Sequence, residues 1–111
     1  MQKNERGLRC LESDGCLTVY LEGDIDHHSA QTIRSRIDTK LFLTRPRELV
    51  LDLSRVNFMD SAGLGLILGR FTKAAELGVQ FRLASPNRHI QKILDLAGME
   101  RLIPITAARS S

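Results

Sequence analysis

The sequence predicts an α/β domain in which strands and helices alternate around one mixed, mostly parallel sheet. Two short β-type runs separated by turn residues open the chain and predict an antiparallel hairpin. After them, segments with helical apolar spacing alternate with short, nearly continuous apolar runs that are typical of covered strands. Such alternation forms parallel β-α-β units, so we expect a layered domain of about four to five strands with helices packed on the sheet.

The N-terminal hairpin is predicted from the runs Gly7–Glu12 and Leu17–Leu21. Residues Ser13–Gly15 lie between these runs and favour a tight turn. The next segment, Gly23–Asp26, is rich in residues that are depleted in strands. We therefore expect the second strand to end before this segment, which should form a loop.

The first helix is predicted over Ser29–Leu43, with Ser29 as its N-cap. Its apolar residues recur four positions apart: Ile33, Ile37 and Leu41. This spacing places them on one stripe that faces the core. The helix should end before Pro46, because proline disfavours the helical conformation in the residue that precedes it.

The second half of the chain contains a strand, a helix, a strand, a helix and a final strand. Their predicted bounds are Glu48–Leu53, Ser61–Leu77, Val79–Ala84, Asn87–Ala97 and Leu102–Ile105. Gly78 and Gly98 follow the two helices, as is common at helix ends. Pro104 has no N–H to donate, so the last strand should lie at an edge of the sheet, followed by a loose tail over residues 106–111.

Length and composition predict one domain over residues 1–111 and exclude several classes of partner. The formal net charge is only +3, and acidic residues interrupt the basic ones, which disfavours nucleic-acid binding. The sequence shows no signal-like segment and no apolar run of membrane-span length, so we expect a cytoplasmic protein without membrane contact. Cys10 and Cys16 are interpreted as strand residues, and a disulfide between them is the less favoured alternative.

Glycines inside the predicted second helix are the most unusual feature of the sequence. Gly63, Gly65 and Gly69 each cost about 1 kcal/mol relative to alanine in a helix. Gly65 and Gly69 share one face, and we expect tight packing on the sheet to explain them. Gly63 lies near the helix tip and is harder to explain by internal packing.

Ser61 is predicted to lie where a strand, a short loop and a helix follow one another. Binding sites of α/β domains collect beyond the carboxyl ends of strands, and a helix start offers free N–H groups with a partial positive charge. A phosphoryl group on Ser61 is therefore compatible with the fold. A purely structural interpretation, in which Asp60 or Ser61 is only the N-cap, stays open.

The segment Phe58–Gly65 resembles the signature of the STAS-domain anti-sigma factor antagonists. Further segments match other parts of that family's pattern: Gly23–His28, Val50–Ser54, Leu66–Arg70, Ser85–Pro86 and Leu96–Gly98. The resemblance extends roughly from Leu17 to Ile105. Within the family, the likeness is to members that act in sporulation.

This resemblance implies a regulator of transcription and not an enzyme. An unphosphorylated family member binds an anti-sigma factor that is also a serine kinase, and binding releases the sigma factor. The kinase then uses ATP to phosphorylate the antagonist, which dissociates, and a serine phosphatase resets the switch. The matching acceptor here is Ser61, and no cofactor or metal of its own is expected. The expected partner-binding residues are Asp24, Asp26, Phe58, Met59, Asp60, Ala62, Gly63 and Leu64.

Three alternatives use the same residues differently. A metal site would recruit Asp24, Asp26, His27 and His28, but adjacent histidines rarely converge and no further cluster completes a ligand set. A serine hydrolase would use Ser61 as nucleophile with one of these histidines and one of these aspartates, but the Gly-x-Ser-x-Gly elbow is missing. A scaffold domain would bind partners and never exchange phosphate.

Overall fold

A five-stranded mixed sheet organises the chain, and the computed structural model describes residues 8–107. The strands are β1 (Leu8–Ser13), β2 (Cys16–Ile25), β3 (Glu48–Met59), β4 (Gln80–Ala84) and β5 (Ile105–Thr106). They lie side by side in chain order, with β1 antiparallel to β2 and the other neighbours parallel. The predicted fold class is confirmed, including the N-terminal hairpin.

Three helices connect the parallel strands: α1 (His27–Thr44), α2 (Ser61–Glu76) and α3 (Arg88–Leu96). A single 3-10 turn over Met99–Arg101 precedes β5. Within residues 8–107, no helix has both the length and the apolar character needed to cross a membrane. Since α1 follows β2 and α2 follows β3, and these strands are parallel, both helices begin at the same carboxyl edge of the sheet.

The apolar core lies where α1, α2 and α3 cover the sheet. The predicted stripe of α1 is buried and consists of Ile33, Ile37 and Leu41. Alternate residues of β2 join the same core: Leu17, Val19 and Leu21. This alternation follows from the period of two in a strand, which turns every second side chain toward the helices.

Arg70 of α2 is a charged residue buried between the two helices. Its guanidinium pairs with the carboxylate of Asp38 on α1. Burial lowers the pKa of Arg70, and the nearby positive charge of Arg34 lowers this pKa further. Within residues 8–107 its Nε has no hydrogen-bond partner. The ion pair joins α1 to α2 and thereby fixes the relative position of the two helices.

The strands β2 and β3 are longer than predicted. β2 continues to Ile25 and β3 continues past Leu53 to Met59. The register between them shifts twice, and at each shift β3 contains one extra residue, as in a β-bulge. The prediction of a loop is wrong for Gly23–Ile25, because pairing with a neighbouring strand outweighs the low strand propensity of glycine and aspartate. Asp26 lies after the strand, as predicted, and is the N-cap of α1.

The ends of other elements also differ from the prediction. α1 begins at His27 and is capped by Asp26, so the predicted N-cap Ser29 is wrong. β5 comprises only Ile105–Thr106, because the chain before it folds into the 3-10 turn. Thr106 therefore belongs to the sheet and not to a loose tail, while residues 108–111 lie outside the described residues.

Cys10 and Cys16 are free thiols, which excludes the disulfide alternative. The hairpin register pairs Cys10 with Val19 and Cys16 with Ser13. Because Val19 and Cys16 are an odd number of positions apart on β2, the two thiols face opposite sides of the sheet. Burial raises the pKa of the Cys10 thiol, although nearby positive charges on α1 oppose this shift.

Candidate functional site

The predicted site residues collect at the carboxyl edge of β2 and β3. Asp24 lies opposite Phe58, and Ile25 lies opposite Met59. The backbone N–H of Asp60 donates to the carbonyl of Ile25 at 3.3 Å, which continues the pairing to the point where α2 begins. The extended pairing of β2 with β3 therefore brings the predicted residues of both strands together.

Asp60 is the N-cap of α2, and Ser61 is the first residue of that helix. The carboxylate of Asp60 accepts hydrogen bonds from the backbone N–H groups of Ala62 at 2.8 Å and Gly63 at 3.2 Å. The side chain of Ser61 is exposed. Capping is thus provided by the neighbouring aspartate, and the Ser61 hydroxyl is presented at the surface beside the positive end of the helix.

Asp26 has the equivalent structural role at the start of α1. Its carboxylate accepts from the backbone N–H groups of His28 at 3.0 Å and Ser29 at 3.1 Å. The Ser29 hydroxyl accepts from the Asp26 N–H at 3.2 Å, which completes a capping box. The hydrogen bond from Ser29 is the main cause that lowers the pKa of Asp26, with a further contribution from His28.

Gly63 is buried under the end of β3. A Cβ at this position would overlap Cγ of Met59 and lie 2.8 Å from the carbonyl oxygen of Ile25. A Cβ at Gly65 or Gly69 would meet no other part of the described chain within 4 Å. The prediction is wrong for all three glycines, because internal packing requires Gly63 and does not require Gly65 or Gly69.

The outward face of α2 continues from Ser61 along the helix. Residues four, seven and eleven positions after Ser61 share its side of the helix: Gly65, Leu68 and Thr72. All of them are exposed and uncharged, and Leu68 has 39% of its surface accessible. Phe58 is also exposed, with 44% accessible, just before the helix. The Ser61 hydroxyl therefore lies at one end of an uncharged, partly apolar surface.

The STAS domain family model matches residues 8–111. An anti-sigma F factor antagonist from Paenibacillus polymyxa is 34% identical over 91 residues, which cover 82% of this chain and 78% of the relative. The chain belongs to the STAS domain family.

Two solved structures of SpoIIAA extend the comparison of this STAS domain to three dimensions. The unphosphorylated anti-sigma factor antagonist SpoIIAA aligns with a TM-score of 0.75 at 25% identity, over 88% of this chain and 86% of that chain. SpoIIAA in its phosphorylated form, described as a Bacillus cell fate determinant, aligns with a TM-score of 0.69 at 25% identity, over 88% of this chain and 89% of that chain. The sequence resemblance seen in Phe58–Gly65 is thus matched by the fold.

The structure divides the predicted partner-binding residues of this STAS domain into two groups. Asp24 and Phe58 are exposed, and four more are half-buried: Asp26, Asp60, Ala62 and Leu64. Met59 and Gly63 are buried, and Met59 has only 2% of its surface accessible. Met59 and Gly63 pack against each other where the first turn of α2 meets the ends of β2 and β3.

Leu68 and Gly65 belong to the exposed surface but were not among the predicted partner-binding residues. The signal that identifies them is the helical spacing from Ser61, which places Gly65 and Leu68 on the same side. From the sequence alone, the same spacing predicts that Gly65 packs on the sheet. Only the orientation of α2 in the tertiary structure shows that this side faces solvent.

The geometry gives little support to the metal-site and serine-hydrolase alternatives. Within residues 8–107, no group of three or more His, Cys, Asp or Glu side chains is arranged to hold a metal ion. The hydrolase alternative needs an aspartate that orients a histidine ring. Asp26 instead bonds backbone N–H groups, and His27 packs against the ring of His28.

Proposed function

We propose that this STAS domain is an anti-sigma factor antagonist whose binding is switched off by phosphorylation of Ser61. The exposed hydroxyl of Ser61, at a helix start that Asp60 already caps, is the observation on which the proposal rests. The similarity to anti-sigma F factor antagonists supports the class of partner. The similarity to a phosphorylated SpoIIAA supports the modification.

The partner in this proposal is an anti-sigma factor that is also a serine kinase. It contacts the exposed residues around Ser61, which include Asp24, Phe58 and Leu68. Gly65 adds no side chain on this face, so a partner surface can approach the helix backbone closely. This close approach offsets the helix-propensity cost of a glycine that internal packing does not need.

Phosphorylation changes the charge of this surface strongly enough to act as a switch. A phosphoserine carries nearly two negative charges at neutral pH. Unit charges about 4 Å apart near a protein surface interact by about 4 kcal/mol, and about 1.4 kcal/mol is a tenfold change in affinity. One unfavourable contact between phosphate and partner therefore weakens binding by about a hundredfold or more. The exposed carboxylate of Asp24 adds to the repulsion.

The fold itself tolerates the phosphate. The start of α2 provides a partial positive charge that favours an anion by at most about 2 kcal/mol. Ser61 is exposed and its side chain takes no part in the cap, so phosphorylation removes no capping interaction among residues 8–107. The modification changes docking and leaves the domain folded.

The complete cycle requires other proteins to supply the chemistry. The kinase transfers the phosphoryl group from ATP, and a serine phosphatase removes it. The domain itself is not an enzyme and holds no cofactor in this scheme. It acts in the cytoplasm as a regulator of transcription, with sporulation as the process that the anti-sigma F relatives favour.

The decisive experiment compares phosphate transfer and binding in three variants. Phosphosite mapping after incubation with ATP and the cognate kinase should find the phosphate on Ser61. Ser61→Ala should bind the kinase as the wild type does but accept no phosphate, and Ser61→Asp should bind about a hundredfold more weakly. Ser35→Asp, which adds the same charge at an exposed serine of α1, is the matched control and should bind normally.

Three results would contradict the proposal. Equal binding by the wild type and Ser61→Asp would show that charge at Ser61 does not control docking. Stable binding without any transfer of phosphate would instead indicate the scaffold alternative. Covalent labelling of Ser61 by a fluorophosphonate probe would support the hydrolase alternative.

A further inference from the structure

The strand β1 forms the longer of the two edges of the sheet. It has six residues and, within residues 8–107, pairs only with β2, whereas β5 at the opposite edge has two residues. An edge strand offers unpaired backbone N–H and C=O groups to another strand. Proteins commonly protect such an edge with proline, lysine or a β-bulge, and β1 (Leu8–Ser13) contains none of these. The edge is therefore able to pair with a further strand.

The hairpin turn determines which residues of β1 direct their backbone groups outward. Its two central residues have φ values of 52° and 80°, as in a type I′ turn. The flanking pair Ser13–Cys16 is hydrogen-bonded in such a turn, and hydrogen-bonded pairs then alternate along the antiparallel ladder. The backbone groups of Leu11 therefore point to β2, while those of Cys10 and Glu12 point away from the sheet.

The two faces of β1 have different surroundings. Leu11 lies opposite Thr18 on the face turned away from the helices, and 54% of its surface is accessible. Cys10 lies on the face toward α1. Burial raises the pKa of its thiol, and the positive charges of Lys40 and Arg36 on α1 act against this rise, so Lys40 lies near Cys10. A carboxylate placed opposite Cys10 would be attracted to this charge.

Glu12 is an exposed carboxylate on the same face of β1 as Cys10. The ion pairs among residues 8–107 do not include it. One strand thus carries an exposed apolar group on one face, a carboxylate on the other, and a nearby positive charge that complements that carboxylate. A strand that matches this edge is therefore present in a second copy of the chain itself.

Symmetry limits the ways in which two copies of β1 can pair. A two-fold axis perpendicular to the sheet gives antiparallel pairing and keeps each residue opposite one from the same face. An axis at Arg9 or at Glu12 brings like charges directly opposite each other, which destabilises a sheet. An axis at Cys10 places Glu12 opposite the partner's Leu8, which is buried. An axis at Leu11 has neither defect.

We propose that two copies of this chain form a dimer by antiparallel pairing of β1 with β1, with the two Leu11 residues opposite each other at the axis. The backbone groups of Cys10 then exchange hydrogen bonds with those of the partner's Glu12. The two leucines form a non-hydrogen-bonded pair, in which opposite side chains come closest, so they cover each other's apolar surface. On the other face, each Glu12 approaches the partner's Lys40.

The dimer leaves the surface around Ser61 exposed in both copies. The strand β2 separates β1 from β3, and β3 leads into α2 and Ser61. The inference therefore goes beyond the proposed function and does not depend on it. Contact through one strand edge is small, so we expect a weak dimer that forms at concentrations of about 100 µM.

The first test measures the mass of the full chain by sedimentation equilibrium from about 10 µM to about 1 mM. The average mass should rise with concentration toward that of two copies. Leu11→Lys places like charges opposite each other and should remain monomeric. Leu102→Lys, at a leucine with 55% of its surface accessible, is the matched control and should dimerise as the wild type does. A wild type that stays monomeric, or an equal effect of both substitutions, would overturn the inference.

A second test determines the register by disulfide cross-linking. Leu11→Cys and Arg9→Cys are compared in a background with Cys10→Ser and Cys16→Ser, so that each chain has one thiol. Oxidation should link the Leu11→Cys chains in pairs, because opposite residues of a non-hydrogen-bonded pair lie within reach of a disulfide. Arg9→Cys should stay unlinked, because this register places it opposite the partner's Ser13. Equally efficient linking of the two variants would refute the register.

A third test reverses the charges that meet across the axis. Glu12→Lys should weaken the dimer by about tenfold, because two symmetric attractions to Lys40 become repulsions. Lys40→Glu should weaken it similarly, and the double variant should recover the affinity of the wild type. Urea denaturation of each variant shows that the fold is retained. Unchanged dimerisation in Glu12→Lys, or no recovery in the double variant, would contradict the proposed contact.

Discussion

The starts of α1 and α2 differ in the way they are held, although both use an aspartate cap. At α1, Asp26 and Ser29 bond each other's backbone and close a capping box. At α2, the residue in the position of Ser29 is Gly63, which packs against Met59 and the carbonyl of Ile25. One start is fixed by reciprocal side-chain hydrogen bonds and the other by close backbone packing.

The two helix starts also present different groups at the surface, although an aspartate caps both. Close packing at Gly63 draws the first turn of α2 onto the ends of β2 and β3 while Ser61 remains at the surface. The residue that follows each N-cap, His27 at α1 and Ser61 at α2, takes no part in capping with its side chain. In both helices the aspartate cap thus leaves the next residue exposed at the surface.

Among substitutions at the two helix starts, replacement of Gly63 should change the free energy of unfolding most. Gly63→Ala forces a Cβ against Met59 and the Ile25 carbonyl, and we expect the free energy of unfolding to fall by about 2 kcal/mol. Gly65→Ala meets open space and should raise it by up to about 1 kcal/mol. Urea denaturation of both variants measures the difference, and equal stability would show that Gly63 is not the packing point.

Loss of the α2 cap should have a smaller effect. Asp60→Ala removes the acceptor for the N–H groups of Ala62 and Gly63, so we expect a loss of about 1 kcal/mol in the free energy of unfolding. Asp60→Asn keeps an acceptor oxygen and should retain most of the stability. If both variants unfold alike in urea, the contribution of Asp60 lies in its charge and not in capping.

A negative charge at Ser61 should change stability least among the substitutions at α2. Ser61→Asp places a carboxylate beside the positive end of the helix, which favours the folded state by about 0.5 kcal/mol or less. Thermal unfolding should therefore show a melting temperature equal to or slightly above that of the wild type. A marked decrease would mean that phosphorylation acts by unfolding α2 and not by altering docking.

The contribution of the α1 cap to the free energy of unfolding should depend on pH. Hydrogen bonds to the ionised carboxylate lower the pKa of Asp26 in the folded state, so its contribution is present above the pKa of the unfolded chain. That contribution is lost as pH falls from about 4 through the lower folded pKa. Asp26→Asn keeps the cap without the charge and should lose less stability over this range. If the free energy of unfolding falls equally with pH in the wild type and in Asp26→Asn, the charge of Asp26 does not contribute to the cap.

The sequence predicted most of the fold from local patterns that the structure confirms. The spacing of Ile33, Ile37 and Leu41 identified the buried side of α1. The order of strands and helices identified the parallel units, and Ser61 was correctly placed at a helix start. These features follow from period and connectivity, which a single chain segment already contains.

The sequence by itself determined that Ser61 opens a helix after a strand in an α/β domain. Only the tertiary structure decided that Gly63 is buried while Gly65 faces solvent, because both are glycines in one helix and differ only in what lies opposite them. The same holds for Gly23 and Asp24, which locally disfavour a strand but are held in β2 by pairing with β3. Backbone propensity acts within a few residues, whereas burial and pairing depend on segments that are distant along the chain.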